Sequence, residues 1–349
     1  MSNFTDFLVV GDIHIRIDCL LEYDIFSSKL IEKAKELSPK YIVILGDILH
    51  SHERLHTICL NKACELIDNL RKISFVYVLV GNHDMISCNQ FMSKNHWLNA
   101  LKEWNNIKIV DMTEYLETTE GKFIFVPYVP NSKFEEALNY NNIEWKDAKI
   151  IFSHQEFYGC KMGSIVSTDG DKWDESYPEI ISGHIHSKQY LQNNIFYIGS
   201  SMQIAFGESE NNIIGYVKQY SENKYILEEI ELDIIKKKIV YVDSKKFDDI
   251  KIDKKNTDNI KITIQGTNEE FKSIKKSKKY KELQNQGFKI VFKDKKVDNI
   301  AISQEINCND IKKVGESNFE KILFELVNKE NNNILIEDYN YIINDKKTD

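Results

Sequence analysis

The chain lacks long apolar runs. The longest reach seven or eight residues, as around 42-IVIL-45 and 75-FVYVLVG-81. A membrane-spanning helix needs about twenty, so none is expected. The opening segment MSNFTDFLVVGD has no basic stretch followed by an apolar one, so no secretory signal is read there. Paired cysteines are missing as well. Cys19, Cys59, Cys64, Cys88, Cys160 and Cys308 are scattered with no CxxC between them. That excludes a zinc ribbon and a disulfide scaffold, and it fits a reducing cytoplasm. Arginine is scarce: Arg16, Arg54 and Arg71 stand against 43 lysines. With abundant Asn and Ile, this is the signature of an AT-rich codon bias, so lysine content alone means little.

What is present suffices for a folded protein. Of 349 residues, 42% are hydrophobic and 29% charged, a balance that buries a core and excludes a disordered tail. The length exceeds one average domain and falls short of three. The net charge of −8 speaks against nucleic acid until it is resolved along the chain. Residues 236–296 carry 19 Lys and 9 acids, a net of +10, and the rest of the chain carries −18.

The first 200 residues repeat one pattern, an apolar run ending in a polar cluster. The runs are 7-FLVV-10 before GDIH, 41-YIVIL-45 before GDILH, 75-FVYVLV-80 before GNHD, 149-KIIF-152 before SHQEF and 179-EIIS-182 before GHIH. Continuous runs of this length read as strands buried on both faces. Helical spacing lies between them in 24-DIFSSKLIEKAKEL-37, 57-TICLNKACELIDNLRK-72 and 89-NQFMSKNHWLNALKEW-104. Alternation of strand and helix predicts an α/β domain. Short strands follow from about 107 to 130, among them 122-KFIFVPYVP-130, and then 195-IFYIGS-200 and strand-like segments over 213–235. Lysine density jumps near 236. There 260-IKITIQ-265, 269-EEFKSIKKSKKYKELQNQ-286 and 288-FKIVF-292 read as strand, helix, strand. A last amphipathic helix, 316-ESNFEKILFELVNKEN-331, precedes 334-ILIEDYNYII-343. The expected division is 1–235, 236–300 and 301–349.

Loops leaving the carboxyl ends of strands in an α/β sheet converge on a crevice. Five such loops carry metal-ligand residue types: Asp12 with His14, Asp47, Asn82 with His83, His154, and His184 with His186. Mixed imidazole, carboxylate and amide donors suit two hard or borderline divalent ions better than one thiolate-bound zinc. A carboxylate shared between two ions would hold them about 3.5–4 Å apart. Asp47, at a central strand end, is the natural bridge. Each motif alone occurs in many proteins. Their order along one chain is specific.

That order resembles the calcineurin-like metallophosphoesterases, on 11-GDIH-14, 46-GD-47, 81-GNHD-84, His154 and 183-GHIH-186. Within that superfamily the chain looks most like the SbcD-type DNA repair nucleases, on 46-GDILH-50, 126-VPYVP-130 and 199-GSSMQIAFGE-208. The resemblance covers residues 7–208; beyond 236 only the layout is similar. It implies a four-layer α/β sandwich, two mixed sheets flanked by helices, with a small α+β capping subdomain and a C-terminal helix. It further implies that Asp12, His14, Asp47 and His186 hold one metal and Asp47, Asn82, His154 and His184 the other, usually manganese. His83 would serve the leaving oxygen, with Asp84 fixing its ring. His50 would be a second phosphate-facing histidine. The implied partners are DNA, gripped by its backbone, an SbcC-type coiled-coil ATPase docking on helix 316–331, and a second copy of the chain near Trp97, Leu101 and Trp104. Intramolecular packing of those three is the plain alternative. His52, His56 and His96 read as ordinary surface or helix residues, and Asp18 as a solvated loop residue.

Competing readings are a small-molecule phosphodiesterase or protein phosphatase of the same superfamily, and a scaffold whose site has decayed. The phosphatases follow the second motif with Asp-Arg-Gly, where this chain has Ile48, Leu49 and His50, and they end the third motif in Glu, where it has Asp84. The complete ligand set argues against a decayed scaffold. A small-molecule hydrolase needs no Lys-rich appendage, and lysines there would grip phosphates in a salt-dependent way.

Overall fold

A computed structural model describes residues 5–52, 54–140, 142–221, 224–252 and 258–294. In chain order, β1 (Phe7–Val10), α1 (Leu20–Leu37), β2 (Tyr41–Ile44), α2 (Thr57–Arg71), β3 (Phe75–Leu79) and β4 (Ile107–Val110) make the first half. The second half is β5 (Glu114–Thr118), β6 (Gly121–Val126), α3 (Phe134–Asn139), β7 (Ile150–Ser153), a small hairpin of β8 (Lys161–Met162) and β9 (Ile165–Val166), β10 (Glu179–Ser182), β11 (Gln189–Gln192) and β12 (Ile195–Tyr197). The chain then runs through β13 (Ile214–Ser221) and β14 (Lys224–Ile230) to β15 (Lys236–Asp243), β16 (Asp258–Gly266), α4 (Asn268–Ile274), α5 (Lys278–Asn285) and β17 (Lys289–Asp294).

Two six-stranded sheets result, ordered β14-β13-β1-β2-β3-β4 and β11-β12-β10-β7-β6-β5. Strands β1 to β4 are parallel, with β13 antiparallel to β1; β12, β10, β7 and β6 are likewise parallel, with β11 and β5 antiparallel at the edges. The pleat sorts the apolar runs. Phe7, Val9, Val43, Leu45, Tyr77 and Leu79 face the other sheet and meet Phe123, Phe125, Phe152 and Phe196. Their neighbours Leu8, Val10, Ile42, Ile44, Val76 and Val78 face outward against Phe26, Leu30, Leu66 and Leu70 of α1 and α2. Ile124, Val126, Ile151, Ile180 and Tyr197 pack outward on the far side with Phe134, Trp145 and Trp173. The central strands β1, β2, β3, β7 and β10 are buried on both faces, which is why these runs show no polar alternation.

Helix α1 stops where Ser38 turns left-handed and its N–H caps Ala34 O, one residue before Pro39. The helix expected over 89–104 does not form. Ser87 and Ser93 draw the N–H groups of Asn89 and Asn95 into local side-chain bonds, and Met92 has a φ of 48°. Only a 3-10 turn, Trp97–Leu101, remains. Such side chains offer the backbone a turn in place of a helix. Trp97 donates to Asp84, Leu101 is buried, and Trp104 lies under Arg71, so these three pack within the chain.

The Lys-rich segment begins at β15 and forms a parallel sheet, β15-β16-β17, with its own core of Val242, Phe247, Ile260, Ile262, Ile264, Phe271 and Leu283. It belongs to the same compact unit, Met1–Asp294. The single helix expected over 269–286 is split in two, because Ser277 caps Tyr280 N and restarts the helix as α5. The expected helix 316–331, strand-like 334–343 and the segment 301–349 lie outside the described residues. Among the described residues, no helix is long and apolar enough to cross a membrane.

Candidate metal centre

All five loops identified in the sequence leave the carboxyl ends of β1, β2, β3, β7 and β10, and they meet. Asp12, His14 and His186 bring ligand atoms within 4.8 Å of one another; so do Asp47, His154 and His184, and so do His14, His50 and His83. Asp47 joins the first two groups. Its Oδ2 lies 3.5 Å from His14 Nε2 and 3.4 Å from His154 Nε2. Asn82 Oδ1 completes the second group, 3.0 Å from His154 Nε2 and 2.9 Å from His184 Nδ1.

The backbone is bent to make this possible. His14, Asp47 and His184 have φ values of 50°, 49° and 75°, a left-handed conformation that costs a non-glycine residue of order 1–3 kcal/mol. The glycines of the motifs give the room. A Cβ on Gly81 would sit 2.2 Å from Asp47 Oδ1, and one on Gly183 would sit 2.7 Å from Asp12 Oδ1. Backbone bonds lock the loops together: His14 N donates to Asp47 O at 2.9 Å, His83 N to Asp47 Oδ1 at 2.8 Å and His184 N to Asp12 Oδ1 at 3.0 Å.

The donor set fits cations. Asp12 Oδ2 is buried without a hydrogen-bond partner among the described residues. It faces His14 Nε2 at 3.8 Å and His186 Nε2 at 3.9 Å, and those two nitrogens face each other at 3.0 Å. A buried carboxylate oxygen and two opposed imidazole nitrogens are satisfied together by a positive ion. Burial works against the charge of Asp12 and Asp47, yet His154 and His14 hold both carboxyls below the usual carboxylate range. The same attraction from Asp47 and Asp12 overcomes burial at His154 and lifts it to about 9. Burial and the neighbouring His154 push His184 down to about 4, which leaves it neutral and ready to ligate.

The His154 Nδ1 hydrogen donates to Leu45 O at 2.7 Å, so Nε2 faces the centre and carries the extra proton there. A ligating imidazole must give that proton up. Below pH 9 cation binding at this group therefore expels a proton, and affinity rises with pH toward 9. Calorimetric titration with manganese in buffers of different ionisation enthalpy should show about one proton released near pH 7.5. Release of none would contradict the protonated His154.

His83 takes a partner other than the one expected. Its Nδ1 lies 2.7 Å from the backbone oxygen of His50, which can only accept. That oxygen orients the ring, and Asp84 does not. The Asp84 carboxylate instead ties the loop together, accepting from Gly81 N at 3.1 Å and the Trp97 indole at 2.9 Å. Burial and the Asp47 charge push Asp84 up to about 6. His50 stacks near His83, and burial with the His14 charge lowers it to about 4. His52, read as a surface residue, stacks on His83 with ring centroids 4.2 Å apart. His96 is buried and pairs with Asp111 at 3.2 Å, while His56 caps α2 and Asp18 pairs with Arg16 on the surface. Two neighbours of the centre went unnoticed in the sequence. Tyr128 packs 5.6 Å from the His184 ring, and Glu208 Oε1 lies 3.5 Å from His186 Nδ1. Both stand inside segments that carried the family resemblance. A cleft of about 460 Å³ opens over the centre, lined by Asp47, His83, His186, Met162 and Glu208.

The sequence pattern of the calcineurin-like phosphoesterases matches residues 5–188. The chain belongs to that family. It is a phosphoester hydrolase of the metallophosphoesterase superfamily, whose members use dinuclear metal ions. It is 48% identical to "Putative phosphoesterase 244L" of Invertebrate iridescent virus 6 over 276 residues, which span 78% of this chain and 97% of that one. It is 39% identical to "Putative phosphoesterase 078R" of Invertebrate iridescent virus 3, over 84% of this chain and 86% of that one. A crystal structure of a dimetal phosphatase from Danio rerio overlaps 67% of this chain and 99% of its own with a TM-score of 0.42 and 11% identity, a likeness too loose to bear on chemistry. The two mixed sheets with flanking helices are the metallophosphoesterase α/β fold.

Proposed function

We propose that this phosphoesterase is a DNA nuclease, cutting phosphodiester bonds with exonuclease and endonuclease action in recombination and repair beside an SbcC-type ATPase. One observation favours that substrate. The Lys-rich sheet abuts the rim of the metal cleft: Lys261 and Lys289 of β16 and β17 hold their ammonium groups 4.9 Å and 5.8 Å from the centroid of Phe206, next to the cleft residues Gly207 and Glu208. A polyanion long enough to enter the cleft meets that charge on leaving it. A small phosphodiester does not.

In this reading Asp12, His14, Asp47 and His186 hold one cation, manganese by preference, and Asp47, Asn82, His154 and His184 hold the second. When bound, the pair supplies positive charge for the phosphoryl oxygens and acidifies a water for attack. The chain's own groups do the rest. The carbonyl of His50 holds the Nδ1 proton of His83, so Nε2 faces the leaving oxygen and gives up the second proton of the imidazolium, leaving the neutral Nδ1–H form. Burial opposes that imidazolium and the Asp47 charge favours it. His50, kept neutral, offers a hydrogen bond to the phosphate without adding charge. Burial pushes Tyr128 up to about 12, so it keeps its proton and shields the His184 side from water.

The full chain with manganese should cut linear double-stranded DNA, and that rate should fall at least about tenfold as salt rises from roughly 50 to 200 mM, as counterion release requires. Hydrolysis of a small aryl phosphodiester should barely change over that range. Intact DNA beside rapid aryl diester turnover would point to a small-molecule phosphodiesterase, and preference for an aryl monoester to a phosphatase.

A further inference from the structure

The segment 199-GSSMQIAFGE-208 has no part in the chemistry above, yet it supplies the nearest carboxylate behind a metal ligand. We infer that Glu208 is the positioning residue for His186, and that the loop from Gln203 to Glu208 fastens that ligand to the Lys-rich subdomain.

His154 and His83 each rest one ring nitrogen on a backbone oxygen, and His14 Nδ1 lies 3.4 Å from His50 Nδ1, whereas His186 is partly exposed and its Nδ1 faces Glu208. Ligating imidazoles keep a fixed tautomer by giving their far N–H to a carboxylate or carbonyl. His186 Nε2 faces Asp12 and His14, so Nδ1 is the far nitrogen, and Glu208 Oε1 lies 3.5 Å from it. The carboxylate is itself pinned. Its Oε2 accepts from Ile204 N at 2.7 Å and from Ala205 N at 3.1 Å. The loop is anchored in turn by Gln203, which is buried and spends its whole amide on two segments. Its Nε2 donates to Glu208 O and Lys237 O, both at 3.1 Å, and its Oε1 accepts from Lys237 N at 2.6 Å. The buried Lys237 ammonium closes the joint by donating to Ile204 O at 2.9 Å. Lys237 is the second residue of β15, so the subdomain's first strand and the carboxylate behind His186 share one hydrogen-bonded knot. The inference needs the metal centre, not a DNA substrate.

Glu208→Gln is the test, because glutamine keeps a carbonyl for the Ile204 and Ala205 N–H groups while an NH2 donor replaces the charged acceptor facing His186. Manganese titration of the full chain, by calorimetry and electron paramagnetic resonance, should show one of two sites weakened about 10–100-fold and the other unchanged. Melting of the metal-free chain should not move. A loop-bracing role alone makes glutamine silent, so wild-type affinity at both sites overturns the assignment. Gln203→Ala should weaken the same site; unchanged binding there overturns the tie to the subdomain. Should Glu208→Gln fail to fold, the nitrogen-15 spectrum of His186 in the wild-type chain decides. A proton on Nδ1 supports the assignment, and one on Nε2 alone overturns it.

Discussion

Replacing Asp47 with alanine removes hydrolysis by about three orders of magnitude or more, and removes cation binding with it. Asp47 reaches both ligand groups with a single oxygen, 3.5 Å from His14 Nε2 and 3.4 Å from His154 Nε2. Its other oxygen accepts from His83 N at 2.8 Å, so the GNHD loop loses its anchor as well. Losing electrostatic stabilisation of a phosphoryl centre costs on the order of 10³-fold, and losing the shared ligand compounds it. Asp47→Asn separates the two effects: the amide keeps an acceptor for His83 N–H and leaves the loop in place while the bridge is gone. The measurement is turnover of an aryl phosphodiester beside metal content. An Asp47→Asn chain that keeps two ions and near-normal turnover would remove Asp47 from the centre.

His83→Ala behaves differently. It leaves both cations bound and lowers kcat about 10²–10³-fold with little change in KM, the range of a positioned general acid. The ring contributes no atom to either metal group that Asp47 bridges, and its Nδ1 is occupied by the His50 carbonyl. Its work is at the leaving oxygen. A nitrophenolate departs without a proton, so the loss should shrink on a nitrophenyl diester and be full on a diester with an alkoxide leaving group. Equal losses on both, or none on either, would take that role from His83.

The fold and the centre were legible in the sequence because their signals are local. An apolar run ending in Gly-Asp or Gly-His states both the strand and the turn that aims the ligand. Asp12, Asp47 and His184 follow such turns directly, and with His14, Asn82, His154 and His186 on the same five strand-end loops they converge. What stayed illegible depends on contacts across the fold. The 89–104 stretch shows apolar residues at helical spacing, but Ser87 and Ser93 bind their own backbone, and Trp97 is spent on Asp84. The partner of His83 is a main-chain carbonyl, which no side-chain pattern reveals. Glu208 lies 22 residues beyond His186, and only the sheet that joins β12 to β10 brings their loops together. The lysine excess marked the subdomain by composition, whereas its join to the cleft through Gln203 and Lys237 is again a matter of backbone.

The central claim is a pair of cations sharing one carboxylate, and anomalous diffraction from crystals grown with manganese tests it most directly. The account predicts two peaks about 3.5–4 Å apart with Asp47 between them. A single peak, or two peaks on separate faces of the chain, would contradict it.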